Sequence, residues 1–201
     1  MALPARDSEL VQIIDVAFAD AARRAGPMLV CRPGCTQCCH GAFAINELDA
    51  QRLASGIEAL RNENPNLAAD LQRRARIWLY DHGSGFPGNP QTGRLGETDA
   101  ERTRFELYAN AAPCPALDPA TGRCDVYQWR PMTCRIFGPP VRIEPEIPNA
   151  SALGHCELCF TNATTAQIAA CEMPTAHDLE QQLLDEFPHS GETIVAFALL
   201  R

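Results

Sequence analysis

The sequence predicts a mainly α (α+β) protein, a helical single domain with a small β-hairpin or irregular element near its cysteines. Two observations favour helices: apolar residues recur every three to four positions in several segments, and those segments begin at typical capping residues. The third observation is the length of the chain: 201 residues bury roughly 70% of their unfolded surface, which is enough for a hydrophobic core without cross-links. The ten cysteines therefore need an explanation other than stability alone.

The helices are predicted in order along the chain. The first covers residues 8–24, where the apolar stripe includes Leu10, Ile13 and Ile14. The next three begin at residues with typical N-terminal roles, namely Asn46 as an N-cap, Pro65 in a first turn, and Thr98 with Glu101 as a capping box. We expect the fourth to reach about residue 110, and a last clear helix, capped by Thr175, to cover residues 177–186.

Two segments between helices are predicted to be irregular. Residues 83–96 form a glycine-rich loop, and residues 139–148, with four prolines, form an extended linker. The loop contains a formal G-x-G-x-x-G at Gly83, Gly85 and Gly88. We reject a dinucleotide site there, because a helix rather than a strand precedes the motif and Pro87 interrupts it.

Composition excludes several classes of function. All 17 basic residues are arginine, and the formal net charge is −8. Without lysine there is no Schiff-base lysine, pyridoxal-phosphate anchor or P-loop lysine, since each needs an ε-amine. The negative charge argues against a nucleic-acid-binding or membrane-surface protein. The lysine-free, alanine-rich composition is typical of a GC-rich bacterial genome.

The absence of a signal peptide and of a membrane span predicts the cellular compartment. Its first residues do not have the basic and apolar regions of a signal peptide, and the apolar run at residues 193–200 is shorter than the about 20 residues of a membrane span. We therefore expect a cytoplasmic protein with reduced thiols. In a reducing compartment, clustered cysteines bind metal or perform redox chemistry more often than they pair.

The first cysteine cluster has the spacing C-x3-C-x2-C-C and comprises Cys31, Cys35, Cys38 and Cys39. Such steps place several sulfurs on one side of a tight turn, which favours metal binding over thiol–disulfide exchange or a structural coincidence. Because neighbouring side chains usually diverge, the adjacent pair is expected to bridge metals or to serve two nearby ones. His40 follows the pair and is expected to support the site, or else to ligate.

The second cluster contains Cys114, Cys124 and Cys134. A turn at residues 118–122, centred on Pro119, predicts a hairpin that would bring the sulfurs of Cys114 and Cys124 opposite each other. Pro131 suits the first position of a helix, so Cys134 would lie in its first turn, near unpaired backbone N–H groups that stabilise a thiolate.

Two arginines and two aromatic residues surround Cys134 in the sequence. Arg130 and Arg135 would offset concentrated negative charge, or else form an ordinary solvated or ion-paired face. Tyr127 and Trp129 are expected to pack beside the site.

Three further cysteines follow the linker. Cys156 and Cys159 form a C-x2-C pair that could supply a missing ligand, whereas Cys171 is expected to be a buried apolar cysteine.

These residues resemble the YkgJ-type cysteine-cluster proteins of bacteria, which are described as zinc- or iron-chelating or Fe–S-cluster-containing. The matching runs are the first cluster, C-P-x-L-D at residues 114–118, and C-x-x-Y-x-x-R-P-x-x-C-R at residues 124–135, within a region of roughly residues 31 to 160. The resemblance implies eight ligands: Cys31, Cys35, Cys38, Cys39, Cys114, Cys124, Cys134 and one cysteine of the last pair. We expect this to be Cys156, because it is the first cysteine after the linker, and Cys159 is the alternative. His40 is a further candidate ligand, and Tyr127, Arg130 and Arg135 are expected around the ligands.

Eight thiolates fit two four-coordinate sites or one polynuclear site, holding zinc or iron–sulfur clusters. We favour iron–sulfur, because the adjacent cysteines and nearby arginines suit a dense anionic centre. The expected role is structural, electron-carrying or redox-sensing. The alternatives are an oxidoreductase that uses the centre and a zinc-folded interaction module.

An enzyme is the less favoured alternative, since there is no flavin or nicotinamide fingerprint and His82, His177 and His189 are scattered. The expected partner is a metal ion, with no nucleic acid or membrane. We expect a helix in residues 1–30, a metal-binding domain in residues 31–160, and a helical extension in residues 161–201 that packs on the same core.

Overall fold

The computed structural model of the protein describes residues 2–143, 153–186 and 191–201. The α-helices of these residues are α1 (Asp7–Ala25), α2 (Glu47–Glu63), α3 (Pro65–His82), α4 (Asp99–Leu107), α5 (Met132–Ile136), α6 (Thr165–Ala170), α7 (His177–Leu184) and α8 (Val195–Ala198). The strands are β1 (Gly88–Asn89), β2 (Arg94–Leu95), β3 (Val141–Arg142) and β4 (Leu153–Gly154), which form two antiparallel pairs. The mainly helical class with small β elements is confirmed.

The predicted N-termini of the long helices are confirmed. The Asn46 side chain accepts a hydrogen bond from the Asp49 N–H, and Pro65 occupies the first turn of α3. Thr98 and Glu101 form both hydrogen bonds of the capping box of α4. That helix ends at Leu107, earlier than predicted, because the chain turns at Ala109, which has a φ of 53°.

Two local predictions need correction, and one helix was not predicted. The predicted loop at residues 83–96 contains the short β1–β2 hairpin. Thr175 does not cap α7, because the residue before this helix is Ala176 and no side chain caps it. The sequence interpretation also missed α6, which begins at a capping box formed by Thr164 and Gln167. Of the predicted linker at residues 139–148, residues 144–148 lie outside the described residues.

The chain folds as two compact units that alternate along the sequence. Unit 1 comprises Met1–Leu3, Pro33–Pro131 and Glu186–Arg201, and unit 2 comprises Pro4–Arg32 and Met132–Asp185. None of the helices in the described ranges has both the length and the apolar character needed to cross a membrane.

Unit 1 has a core formed by α2, α3 and α8. Leu53 and Ile57 of α2, Leu71 of α3 and Leu199 beside α8 are completely buried in it. Antiparallel hydrogen bonds between Ile45 and Thr193, both 2.9 Å, fasten the last segment of the chain to the start of α2. This core supports the site, because two cysteines pack against it.

Unit 2 is organised around α1, which contacts α5 and α7. Leu10, Ile14 and Ala21 bury one side of α1, whereas Ile13 is 43% exposed, contrary to the predicted stripe. The difference follows from helical geometry, because consecutive side chains point about 100° apart and only Ile14 faces the core. The β3–β4 pair belongs to the same unit.

Candidate metal centre

The ten cysteines divide between the two units in a way that the sequence clusters do not show. Unit 1 contains Cys35, Cys38, Cys39, Cys114 and Cys124, and unit 2 contains Cys31, Cys134, Cys156, Cys159 and Cys171. All ten lie in described parts of the chain and are thiols rather than disulfides. The run that reads as one cluster in the sequence is therefore split, since Cys31 belongs to unit 2 and its three neighbours to unit 1.

In unit 1, main-chain pairing joins the first cysteine run to the segment that carries Cys114. The Cys114 N–H donates to the Cys39 carbonyl at 2.7 Å, and the Gly41 N–H donates to the Ala112 carbonyl at 2.9 Å. His40 pairs with Pro113 in the same antiparallel arrangement. Two cysteine segments that are distant in sequence thus lie side by side.

The predicted turn between Cys114 and Cys124 forms, but its register differs from the prediction. Residues 114–117 make a turn of their own, closed by the Leu117 N–H donating to the Cys114 carbonyl at 2.9 Å. Leu117, rather than Cys114, therefore pairs with Cys124. The Asp118 carboxylate accepts from the Ala120 N–H at 3.0 Å and so stabilises the reversal. The expectation that the two cysteines lie directly opposite each other was wrong by three residues.

Four thiols of unit 1, those of Cys38, Cys39, Cys114 and Cys124, influence one another's ionisation, and we call them the four-thiol set. The Cys39 thiol donates a hydrogen bond to the Cys38 sulfur, which lowers the pKa of Cys38 to about 6. The loss of that bond on ionisation raises the pKa of Cys39. Burial raises the pKa of Cys114 to about 12 and also raises that of Cys124.

The adjacent cysteines Cys38 and Cys39 interact through a hydrogen bond between their thiols. Both lie in a 3₁₀ turn (Gln37–Cys39), which directs the two sulfurs toward each other. The His40 ring contacts the Thr36 carbonyl through Nδ1 at 2.9 Å, so this nitrogen supports the turn. Cys35 is half-buried just before it.

Arg74 and Arg130 supply positive charge to the four-thiol set. Arg74 donates to the Leu117 carbonyl at 3.1 Å and to the Asp125 carboxylate at 2.5 Å, and its charge favours ionisation of Cys114. Arg130 has the same effect on Cys38 and Cys124. Its guanidinium lies 3.9 Å from the centre of the Tyr127 ring and donates to the Tyr127 carbonyl at 2.8 Å.

Arg74 was not predicted from the sequence as a site residue. Its helical spacing could have indicated it, because Arg74 follows Leu71 by three residues and precedes Trp78 by four, and so lies beside the buried side of α3. Arg135, expected to act with Arg130, belongs to unit 2, where it is 2% exposed and bonded to the Asp15 carboxylate at 2.9 Å. Its charge is therefore matched by α1.

Unit 2 gathers a second group of thiols. Cys156, Cys159 and Cys171 are buried in one cluster with Phe160, and Cys31 packs against them. The Cys31 and Cys159 sulfurs lie 4.0 Å apart. Cys171 is buried as expected, but its proximity to the other cysteines was not predicted. Cys134, on α5, belongs to the same unit.

Of the remaining histidines, His155 lies beside the unit 2 thiols: its Nδ1 is 3.1 Å from the Cys156 carbonyl, and its ring centroid is 5.3 Å from that of Phe160. The His82 ring instead lies against Trp78, with the ring centroids 4.7 Å apart and the planes tilted by 55°, and His177 begins α7. His189 lies outside the described residues.

The chemistry of both groups fits a thiolate-bound metal. In the described ranges, no three side chains of cysteine, histidine, aspartate or glutamate meet at one metal position. A bound ion would therefore require the sulfurs to lie closer together than they do here. Zinc and iron both accept thiolate ligands, and four neighbouring thiols with nearby arginines suit either metal.

Comparison with known proteins points to the same chemistry. A family model named CxxCxxCC and described as "Putative zinc- or iron-chelating domain" matches residues 30–157. The first step of the motif is one residue longer in this chain, between Cys31 and Cys35. No curated protein and no solved structure matches the chain.

Proposed function

The chain belongs to the CxxCxxCC family of zinc- or iron-chelating domains, and from that premise we propose that it holds a metal centre through the four-thiol set of unit 1. The observation that carries this proposal is the pairing of the two cysteine segments: the Cys114 N–H donates to the Cys39 carbonyl at 2.7 Å, and Cys114 and Cys124 pack against the same core. The mutual influence of the four thiols on ionisation supports it. When several thiols lie close together and partly buried, ionisation of more than one of them is unfavourable, because the negative charges repel and are poorly solvated. A bound cation removes this penalty by stabilising the thiolates.

Three properties of the protein favour metal binding by the four-thiol set: the ionisation of one thiol, nearby positive charge and a fixed backbone register. Of the four-thiol set, the Cys38 thiol ionises most readily, because the hydrogen bond from Cys39 lowers its pKa to about 6. Four thiolates around a dication leave a net charge of −2. Arg130 offsets part of this charge, and Arg74 contributes less because it is also paired with Asp125. The hydrogen bond between Cys114 and Cys39 holds the two ligand segments in fixed register.

We favour an iron–sulfur cluster over a single zinc ion. The Cys38 and Cys39 sulfurs belong to adjacent residues and lie within hydrogen-bond reach, and a cluster can bind them on different iron atoms. Such a cluster supplies one-electron transfer or sensitivity to oxidation, and a reducing compartment such as the cytoplasm keeps its ligands available. Zinc is the second candidate, because four thiolates also complete a closed, structural tetrahedral site.

Anaerobic purification of the full chain, followed by measurement of iron, zinc and acid-labile sulfide, tests this proposal. We expect iron and sulfide in the wild-type protein and their loss from the unit 1 centre in Cys38→Ser and Cys124→Ser. Ile57→Val is the matched control, because it reduces packing in the core that Cys124 contacts but leaves every thiol in place.

Each alternative has its own signature. Colourless protein with zinc and no sulfide would replace the iron–sulfur proposal by the structural zinc site. Wild-type protein that holds neither metal, or cysteine variants that retain all of it, would refute the centre itself.

A further inference from the structure

We propose that unit 2 carries a second, separate thiolate metal site formed by Cys31, Cys156, Cys159 and Cys171. The inference rests on the proposed function, in that it assigns to a second group of cysteines the chemistry proposed for unit 1. It adds Cys159 and Cys171 as ligands, although both lie beyond residue 157, where the match to the family model ends.

Burial and distance are the first support. Cys156, Cys159 and Cys171 are 4%, 1% and 2% exposed and share one cluster, against which Cys31 packs. The 4.0 Å between the Cys31 and Cys159 sulfurs is close to the about 3.8 Å edge of a tetrahedron with metal–sulfur bonds of about 2.3 Å. Two of the four proposed ligands are therefore already separated as a zinc or iron site requires.

Gly138 is the second support, because it leaves space beside the thiols. A Cβ at this position would lie 2.9 Å from the Cys31 sulfur, and the glycine has a φ of +124°, which other residues rarely adopt. The Gly138 carbonyl also accepts from the Cys156 N–H at 3.2 Å. Any larger residue would push the Cys31 sulfur away from its partners.

The backbone of the Cys156–Cys159 turn is the third support. The Cys159 N–H donates to the Cys156 carbonyl at 2.9 Å, which closes a tight turn and places both side chains in the same cluster. Phe160 follows with a φ of 58°, a left-handed conformation that is costly for a residue with a side chain. The Phe160 N–H donates to the Met28 carbonyl at 2.9 Å and thereby joins this turn to the segment that precedes Cys31.

Cys171 is fixed from both sides. Arg24 of α1 donates to the carbonyls of Ala170 and Glu172, the two neighbours of Cys171. The Met173 N–H donates to the Pro140 carbonyl at 2.7 Å. Arg24, which also pairs with the Asp20 carboxylate at 2.8 Å, thus ties the backbone on both sides of Cys171 to α1.

Metal content of cysteine-to-alanine variants tests the second site. In Cys159→Ala and Cys171→Ala we expect the loss of one metal centre per chain, with the unit 1 centre retained. Alanine preserves an apolar buried position, so a cysteine that only packs should tolerate it. Ile168→Val is the matched control, since it reduces packing against the same cluster without removing a thiol and should keep both centres.

A second measurement covers the case in which the alanine variants fail to fold. Cobalt(II) titration of the demetallated wild-type chain, followed by its thiolate charge-transfer absorption, should saturate at two equivalents. Saturation at one equivalent, with Cys124→Ser abolishing the absorption, would refute the second site but leave the proposed function intact. No absorption at any cobalt concentration would refute both.

Discussion

Replacing Arg74 with methionine should weaken unit 1 by removing the guanidinium that joins α3 to the loop between Cys114 and Cys124. Two hydrogen bonds are lost, one to the Leu117 carbonyl at 3.1 Å and one to the Asp125 carboxylate at 2.5 Å. Only 14% of the Arg74 side chain is exposed, against 19% for Asp125. Hydrogen bonds to charged groups contribute about 1.5–3 kcal/mol each, and Asp125 can partly rehydrate, so the free energy of unfolding should fall by about 2–4 kcal/mol.

Urea unfolding followed by circular dichroism measures this loss, and Arg73→Met is its control. Arg73 is the next residue of the same helix, but 60% of its side chain is exposed and it bonds only to Asp70 among the ion pairs observed. Such a surface pair contributes about 0–1 kcal/mol. Equal effects of the two substitutions, or a change of less than about 0.5 kcal/mol for Arg74→Met, would refute the role assigned to Arg74. Arg74→Met should also release metal to a chelator faster than Arg73→Met.

Three other predictions concern packing, capping and metal. Gly56→Ala should lower the melting temperature, because the added Cβ would lie 2.5 Å from Cγ of Trp129. The cost of this overpacking, about 1–3 kcal/mol, exceeds the gain in helix propensity of about 1 kcal/mol. A higher melting temperature would show that the Trp129 side chain moves aside freely. Thr98→Ala should cost about 1 kcal/mol in urea unfolding through the lost cap of α4, while Thr98→Ser should stay near wild type, and equal losses would contradict this. Removal of metal by a chelator should lower the melting temperature, because metal binding stabilises the folded chain, and an unchanged value would argue against a bound metal.

The parts of the fold that the sequence predicts well are those set by neighbouring residues. The N-caps at Asn46 and Thr98 and the proline at Pro65 act within one helical turn, so the helices begin where expected. The same local reasoning failed for the cap of α7, because this helix begins at His177 as expected but Ala176, not Thr175, precedes it and no side chain caps it. Capping preferences are small compared with the tertiary contacts that fix a short helix.

The arrangement of the cysteines could be predicted only in part. Their spacing and types indicated metal binding, and the family match agrees with that interpretation. Which thiols share a unit depends on long-range pairing, such as the hydrogen bond from Cys114 to Cys39, which no periodic pattern reveals. The split between Cys31 and its neighbours and the packing of Cys31 against Cys156 and Cys171 have the same origin, because the units alternate along the chain.

X-ray absorption at the metal edge of the anaerobically purified chain is the sharpest test of the proposed centre, since it reports the atoms bound to the metal. We expect a first shell of sulfur alone, with metal–sulfur distances of about 2.3 Å. A shell dominated by nitrogen or oxygen at about 2.0–2.2 Å would contradict a centre held by Cys38, Cys39, Cys114 and Cys124.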